Sequence, residues 1–292
     1  MSESKKILVL GATGMLGHKL VQKLSGRFEV TGTVRGDAVQ YRNIPALTAA
    51  RLLPGVLVED LDSLARAMDA ACPDVVINCI GLIKQYKEAK NPLLSIRLNA
   101  MLPHYLSEIC GDRGVRLIHF STDCVFSGNK GAYMEEDFPD ASDIYGRTKL
   151  LGEVGGSNQL TIRTSIIGHE LSSAVSLIDW FLTQTDPVKG YASAIYSGFP
   201  TVEMARILMD YIIPNESLEG LYHVSSSPIS KYELLTLVAK QYRKIIEIIP
   251  DDEVRIDRSL DSTKFSRITG YVAPGWGELI ARMHHDYLAS YQ

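Results

Sequence analysis

Basic charge, closely spaced cysteines and long apolar runs are all scarce in this chain of 292 residues. Its 30 lysines and arginines are outnumbered by 34 aspartates and glutamates, a formal net charge of -4. That balance argues against a broad nucleic-acid surface, although a local basic pocket for phosphate remains compatible with it. The four cysteines, Cys72, Cys79, Cys110 and Cys124, stand too far apart for a C-x-x-C metal or redox motif. They read as reduced thiols, since a disulfide framework is a device of small secreted chains. No stretch reaches the ~18 uncharged apolar residues of a membrane span. The opening from Met1 to Lys6 is polar and lacks the apolar core of a secretory signal. A cytoplasmic protein is expected, with neither membrane nor nucleic acid as partner and with a homodimer left open. Repeats, low-complexity tracts and long Gly/Ser linkers are missing too.

What is present is an alternation of apolar runs and helical patterns. Residues 6–10, Lys-Ile-Leu-Val-Leu, have no polar face after the lysine and read as a strand buried on both sides, which implies a parallel sheet. Further strands are expected at residues 29–34, 55–58, 75–79, 115–120 and 160–163. Helices fit residues 14–24, 63–71 with Ser63 as N-cap, 92–110 and 145–153. This is the βαβ rhythm of an α/β doubly wound, Rossmann-like sheet. After Arg163 the rhythm loosens, with helical patterns at 176–185, 201–213, 230–243 and 276–290 interrupted by six prolines. A cofactor domain over 1–165 and a smaller α+β substrate lobe over 166–292, with segments returning to the first domain, are the expected division.

Gly11, Gly14 and Gly17 follow the first strand and open the first helix, with Thr13, Met15 and Leu16 between them. Bare glycines let backbone N–H groups at a helix N-terminus approach a pyrophosphate, whereas side chains would hold it off. The end of the second strand should choose the cofactor. Arg35 favours the 2′-phosphate of NADP through a planar guanidinium, while Asp37 keeps NAD open. Asp60 or Asp62 could accept from the adenine amino group or could cap a helix.

Tyr145 and Lys149 are four apart, so a helix sets them on one face and an ammonium can stabilise a phenolate. Unaided, a tyrosine with a pKa near ~10 is a sluggish acid or base at neutral pH. Thr122, where the strand at 115–120 meets its loop, can donate to a substrate carbonyl. Asn99 and Asn78 are candidates for positioning lysine, water or cofactor, with Cys79 and Gly81 beside Asn78 in the cofactor set; for Asn78 a backbone-satisfying role stands equally. Lys84, Arg163 and Arg258 are the candidate cations for a substrate diphosphate, each with a salt-bridge alternative. Adjacent His284 and His285 lie about 100° apart on a helix and cannot chelate together, so no metal is expected.

The glycine spacing resembles the extended short-chain dehydrogenase/reductases. The run from Ser121 to Gly128, the run from Tyr145 to Glu153, Arg163-Thr-Ser165, Phe199-Pro-Thr201 and Gly220-Leu-Tyr-His-Val224 resemble the dTDP-4-dehydrorhamnose reductase family. The resemblance implies reduction of the 4-keto group of a nucleotide-linked 6-deoxysugar by NADPH or NADH, with Thr122, Tyr145 and Lys149 catalytic. Two departures fall near the expected nicotinamide or sugar: Cys124 stands where the family usually has tyrosine, and residues 78–85 replace a small-residue stretch. A UDP-N-acetylated 4-ketohexose is therefore an alternative substrate. Related 4,6-dehydratases carry Thr-Asp-Glu where this chain has Thr122-Asp123-Cys124, and a thiol of pKa ~8.5 does not replace the glutamate base. Asp123 then reads as a loop cap beside the substrate. Relatives that serve partner enzymes as noncatalytic NADP-binding subunits, and epimerases that recycle bound NAD, are the alternative readings.

Overall fold

Strand β1 (Lys6–Leu10) sends alternate side chains into two different cores. Ile7 and Val9 join one apolar cluster, Leu8 and Leu10 the other, and all four are buried. A strand buried on both faces needs helices above and below it, which is why no polar alternation appears in its sequence. The computed structural model describes residues 4–83 and 91–291.

The main sheet adds β2 (Glu29–Thr33), β3 (Arg51–Leu53), β4 (Val75–Asn78), β5 (Arg116–Thr122), β6 (Gln159–Thr164) and a late strand, Gly220–His223. Every pairing in it is parallel, and the strands run in the spatial order late strand, β6, β5, β4, β1, β2, β3. The direction of winding reverses between β1 and β4, the point at which open α/β sheets hold ligands beyond their carboxyl ends. Helices α1 (Met15–Leu24), α2 (Leu61–Ala71), α3 (Pro92–Ser95), α4 (Leu102–Asp112) and α5 (Ile144–Leu151) fill the connections. Between α3 and α4 the chain makes a π-helical turn, Ile96–Met101, that widens the helix at Asn99.

Beyond β6 come β7 (Ile166–Ile167), α6 (Leu177–Thr183), β8 (Val188–Tyr191), β9 (Ala194–Tyr196), β10 (Phe199–Pro200) and α7 (Thr201–Ile207). They are followed by β11, the Gly220–His223 strand already counted in the main sheet, then β12 (Ile229–Ser230) and α8 (Lys231–Gln241). The chain ends with β13 (Ile248–Asp251), β14 (Ile256–Asp257), α9 (Thr263–Thr269) and α10 (Trp276–Tyr291). β11 pairs with β6, and the larger apolar cluster runs from Ile7 through Ile207 to Met283, so the late segments share a core with the first half. Lys19 of α1 is 2% exposed and pairs with Asp286 of α10 at 2.5 Å, tying the last helix to the first. Among the described residues no helix is long and apolar enough to cross a membrane.

Two local expectations are corrected. The third strand is Arg51–Leu53 and not residues 55–58; Pro54 and Gly55 (φ +67°) end it, and the alternating Val56 and Val58 are buried loop anchors. Helix α2 starts two residues before Ser63, capped by Asp60, whose side chain accepts from Asp62 N at 3.0 Å. Ser63 instead accepts from Leu57 N at 3.1 Å.

Candidate active site

The three loop glycines do different work. Gly11 has φ +79°, and a Cβ there would meet Ile80 at 2.9 Å. A Cβ on Gly17 would lie 2.0 Å from the Gly11 carbonyl, so its absence lets α1 pack against β1. Gly14 differs: it is exposed, and its Cβ would touch only the Gly11 carbonyl, at 3.5 Å. Gly14 is also the N-cap of α1 and provides no side-chain cap. The N–H groups of Met15 and Leu16, the first two helical residues, have no acceptor within the helix and point outward with the positive end of its dipole. A dinucleotide pyrophosphate fits that cradle, and a side chain at Gly14 would intrude on it. Thr13 lies half-buried in the same loop.

At the end of β2, the Arg35 guanidinium is 65% exposed and only loosely held, 3.5 Å from Glu59. Asp37 is already engaged, accepting from Val39 N at 3.0 Å as the cap of a short 3-10 turn. The loosely held, exposed cation suits a 2′-phosphate, and Asp37 has one oxygen committed to its cap. Asp60 is occupied in the same sense, capping α2 with one oxygen and lying 3.6 Å from Arg66 with the other.

Thr122 ends β5, paired in register with Thr164. Its hydroxyl donates to Asp123 Oδ1 at 3.1 Å, accepts from Cys124 N at 3.1 Å and is hydrogen-bonded to the Tyr145 side chain. Thr122, not Asp123, is therefore the cap of the following turn, which corrects the loop-cap reading of Asp123. A hydroxyl has one proton, so Thr122 can donate to a substrate oxygen only by turning away from Asp123. Tyr145 stands in the first turn of α5, whose N-cap Asp143 accepts from Gly146 N at 2.8 Å. Gly146 is required there, because a Cβ would lie 2.2 Å from the Cys124 carbonyl; helix and loop touch at this point and bring Tyr145 to Thr122.

Lys149, one turn along α5, is 4% exposed and donates to the Phe120 carbonyl at 2.6 Å. Burial pulls its ammonium down to about 8, with Glu153 opposing the shift. Tyr145 goes the other way: burial, then the neighbouring Cys124, push it well above the usual tyrosine range, and the hydrogen bond with Thr122 only partly compensates. The expected lowering of Tyr145 by Lys149 is thus not the dominant influence here. A raised phenol suits an acid that must hold its proton until an alkoxide forms.

Asn99 belongs to the same wall. Its Oδ1 accepts from Leu82 N at 2.8 Å and its Nδ2 donates to Leu82 O at 3.0 Å. The π-helical turn sets this side chain beside Gly81, where a Cβ would come within 3.5 Å of Asn99 Oδ1 and 4.0 Å of Lys149 Nζ. Gly81 thus keeps the lysine head approachable. Asn78 is used by the fold: Oδ1 accepts from Ile80 N at 3.0 Å, and Nδ2 meets buried His119 at 3.1 Å. Cys79 is held as a thiol by burial, which raises its pKa.

Of the three proposed phosphate-binding cations, Arg163 is corrected to a structural role. It is 3% exposed, grips Glu153 through Nε (2.8 Å) and Nη2 (2.7 Å), and lies over the Phe126 ring. Glu153 also accepts from Ser121 at 2.6 Å, so one largely shielded carboxylate fixes the end of β5, β6 and the charge near Lys149. Arg258 is half-buried and donates from Nε to the Phe126 carbonyl at 2.8 Å, and among the described residues its terminal nitrogens have no partner. Lys84 lies outside the described residues. His284 packs on the Tyr242 ring at 4.3 Å, and among the described residues no three His, Cys, Asp or Glu side chains gather to hold a metal.

Sequence reasoning missed Glu153 as a partner, although its i+4 spacing from Lys149 carried the signal. It also missed Tyr196 and Lys231. Lys231 Nζ sits 4.2 Å from the centre of the Tyr196 ring, within electrostatic reach of Asp123 and Cys124.

A parallel Rossmann sheet, a glycine cradle at its switch point and a Thr-Tyr-Lys set beside it define an NAD(P)-dependent oxidoreductase of the short-chain dehydrogenase/reductase type. Residues 5–288 match the family model described as RmlD substrate binding domain, and the chain belongs to that family. It is 33% identical over 265 residues to a Haloferax volcanii protein named probable low-salt glycan biosynthesis reductase, covering 86% of this chain and 83% of that one. It is 25% identical over 252 residues to methionine adenosyltransferase 2 subunit beta of Xenopus laevis, covering 82% of this chain and 72% of that protein. The crystal structure of dTDP-4-dehydrorhamnose reductase from Bacillus anthracis in complex with NADP superposes with a TM-score of 0.80 over 98% of this chain and 99% of that one, at 19% identity.

Proposed function

We propose that the protein is an NADPH-dependent reductase that converts the 4-keto group of a nucleotide-linked 6-deoxysugar to the alcohol. The observation that carries this reading is the convergence of Thr122, Tyr145 and Lys149 at the carboxyl end of β5. The reductase name of the Haloferax volcanii relative and the NADP of the Bacillus anthracis structure support it. Gly11, Gly14 and Gly17 with the N–H groups of Met15 and Leu16 would hold the pyrophosphate, Arg35 the 2′-phosphate, and Lys149 the nicotinamide ribose. When bound, the nicotinamide supplies the hydride that reaches the sugar carbonyl carbon. Tyr145 gives its proton to the developing alkoxide, Thr122 orients that oxygen, and solvent restores the Tyr145 proton. Arg258 takes the nucleotide diphosphate. NAD is the alternative cofactor, and a UDP-N-acetylated 4-ketohexose the alternative substrate.

The test is to mix protein, NADPH and a panel of 4-keto-6-deoxysugar nucleotides, UDP-N-acetylated ones included, and to follow loss of reduced-cofactor absorbance. Catalytic oxidation with at least one sugar is expected. Stoichiometric NADPH binding without oxidation across the panel would overturn the reading. Together with an effect on a copurifying enzyme, it would favour a subunit role of the kind suggested by the Xenopus laevis relative's name.

A further inference from the structure

Lys231 is the first residue of α8, held there by a capping box in which Ser230 accepts from Glu233 N at 3.1 Å and the Glu233 carboxylate accepts from Ser230 N at 3.1 Å. That box fixes where the lysine stem leaves the helix. The ammonium lies over Tyr196 of β9, a residue that is 3% exposed and packed against Trp276 at 5.5 Å. Among the described residues the Lys231 ammonium has no carboxylate within ion-pair distance and no hydrogen-bond acceptor, only the face of this ring at 4.2 Å. Burial lowers its pKa, and Asp123 with Cys124 pull it back up. An ammonium with no protein acceptor is available to an oxygen from a bound ligand.

Within electrostatic reach of this ammonium is Asp123. The residue is 7% exposed, and its carboxylate takes one hydrogen bond among the described residues, from Thr122. Asp123 and Lys231 feel each other's charge yet stand beyond the 4.0 Å of an ion pair. A group placed between them must accept from an ammonium and donate to a carboxylate. An anion would be repelled by Asp123, a cation by Lys231, and a bare carbon would leave both unpaired. A hydroxyl satisfies both. Asp123 directly follows Thr122 and takes its hydrogen bond, and Thr122 meets Tyr145, so Asp123 stands beside the groups that would face the reacting carbonyl.

We propose that Lys231 and Asp123 together read a hydroxyl on the sugar carbon next to the carbonyl, and so make the site selective for 4-keto sugars that keep that hydroxyl over their deoxy counterparts. The inference rests on the reductase reading above and adds the substituent that the substrate must carry. Sites built to hydrogen-bond a hydroxyl discriminate strongly against analogues lacking it, because their own polar groups are then left unpaired.

The experiment compares kcat/KM for two 4-keto-6-deoxysugar nucleotides, one with a hydroxyl and one with hydrogen on the carbon adjoining the ketone, in the wild type, Lys231→Met and Lys231→Arg. The wild type should prefer the hydroxylated sugar by roughly 100-fold or more. Lys231→Met keeps an unbranched apolar side chain without the charge and should bring the preference to within about 5-fold, mainly through a raised KM for the hydroxylated sugar, while NADPH binding stays at one per chain. Lys231→Arg should recover part of it. An undiminished preference in Lys231→Met overturns the inference alone, as does a wild type that shows none. No turnover of either sugar by the wild type overturns the reductase reading and this inference with it.

Discussion

On one side of the active site the working groups are backbone donors and side chains at fixed spacings; on the other they are single side chains set on short strands and helix starts. The cradle of residues 11–17 and the pair Tyr145 and Lys149 belong to the first kind. Tyr196 and Lys231 belong to the second. The difference follows from what each side must do. A pyrophosphate and a ribose are constant, so they can be met by backbone geometry that imposes the same glycines wherever it is used. A sugar substituent varies, and a single ammonium on a rigid ring suffices to read it.

Ways to break this contrast fall in order of expected size. Tyr145→Phe removes the proton donor and should lower kcat by about 10³-fold, with the NADPH dissociation constant within roughly 2-fold of wild type; both are read by stopped-flow absorbance and titration. Glu153→Ala leaves Arg163 buried without its carboxylate and should cost about 3 kcal/mol of stability, measured by urea unfolding. Gly14→Ala and Gly17→Ala should separate cofactor from fold. The first should weaken NADPH binding by about 10-fold or more with a nearly unchanged melting temperature, because its Cβ meets nothing closer than the Gly11 carbonyl at 3.5 Å and would sit on the exposed loop that is to hold the pyrophosphate. The second should lower the melting temperature, since its Cβ would strike the Gly11 carbonyl.

Smaller effects sharpen the comparison. Arg35→Glu should shift the NADPH to NADH preference by about 10-fold toward NADH, and an unchanged ratio would remove Arg35 from cofactor choice. Lys149 is charged below about 8 and neutral above it, so kcat/KM for reduction should decline as pH rises through about 8. A profile flat through that range would show that the ammonium is not needed in its charged form.

The parallel sheet was legible because β1 and β4 are apolar on both faces over most of their length, a pattern that few other structures tolerate. The strand at residues 55–58 was misread because buried loop anchors at Val56 and Val58 copy the alternation of a strand; only the pairing of Arg51 with Thr31 reveals the true one. The roles of Arg163 and Asp60 were obscured for a different reason. A guanidinium written in sequence looks the same whether it awaits a phosphate or faces Glu153, and an aspartate before a helix looks the same as cap or ligand. Lys231 was invisible because its meaning depends on Tyr196 and Asp123, which lie far from it in the chain and join it only through the fold.

The central claim is that hydride reaches the sugar carbonyl carbon while Tyr145 supplies the proton. It is tested most directly by incubating the protein with NADPH carrying deuterium in the transferred position and a 4-keto-6-deoxysugar nucleotide, then analysing the product sugar by mass spectrometry and NMR. One deuterium bound to carbon 4 of the reduced sugar is the predicted result. Recovery of the unlabelled keto sugar beside intact, stoichiometrically bound deuterated cofactor would contradict it.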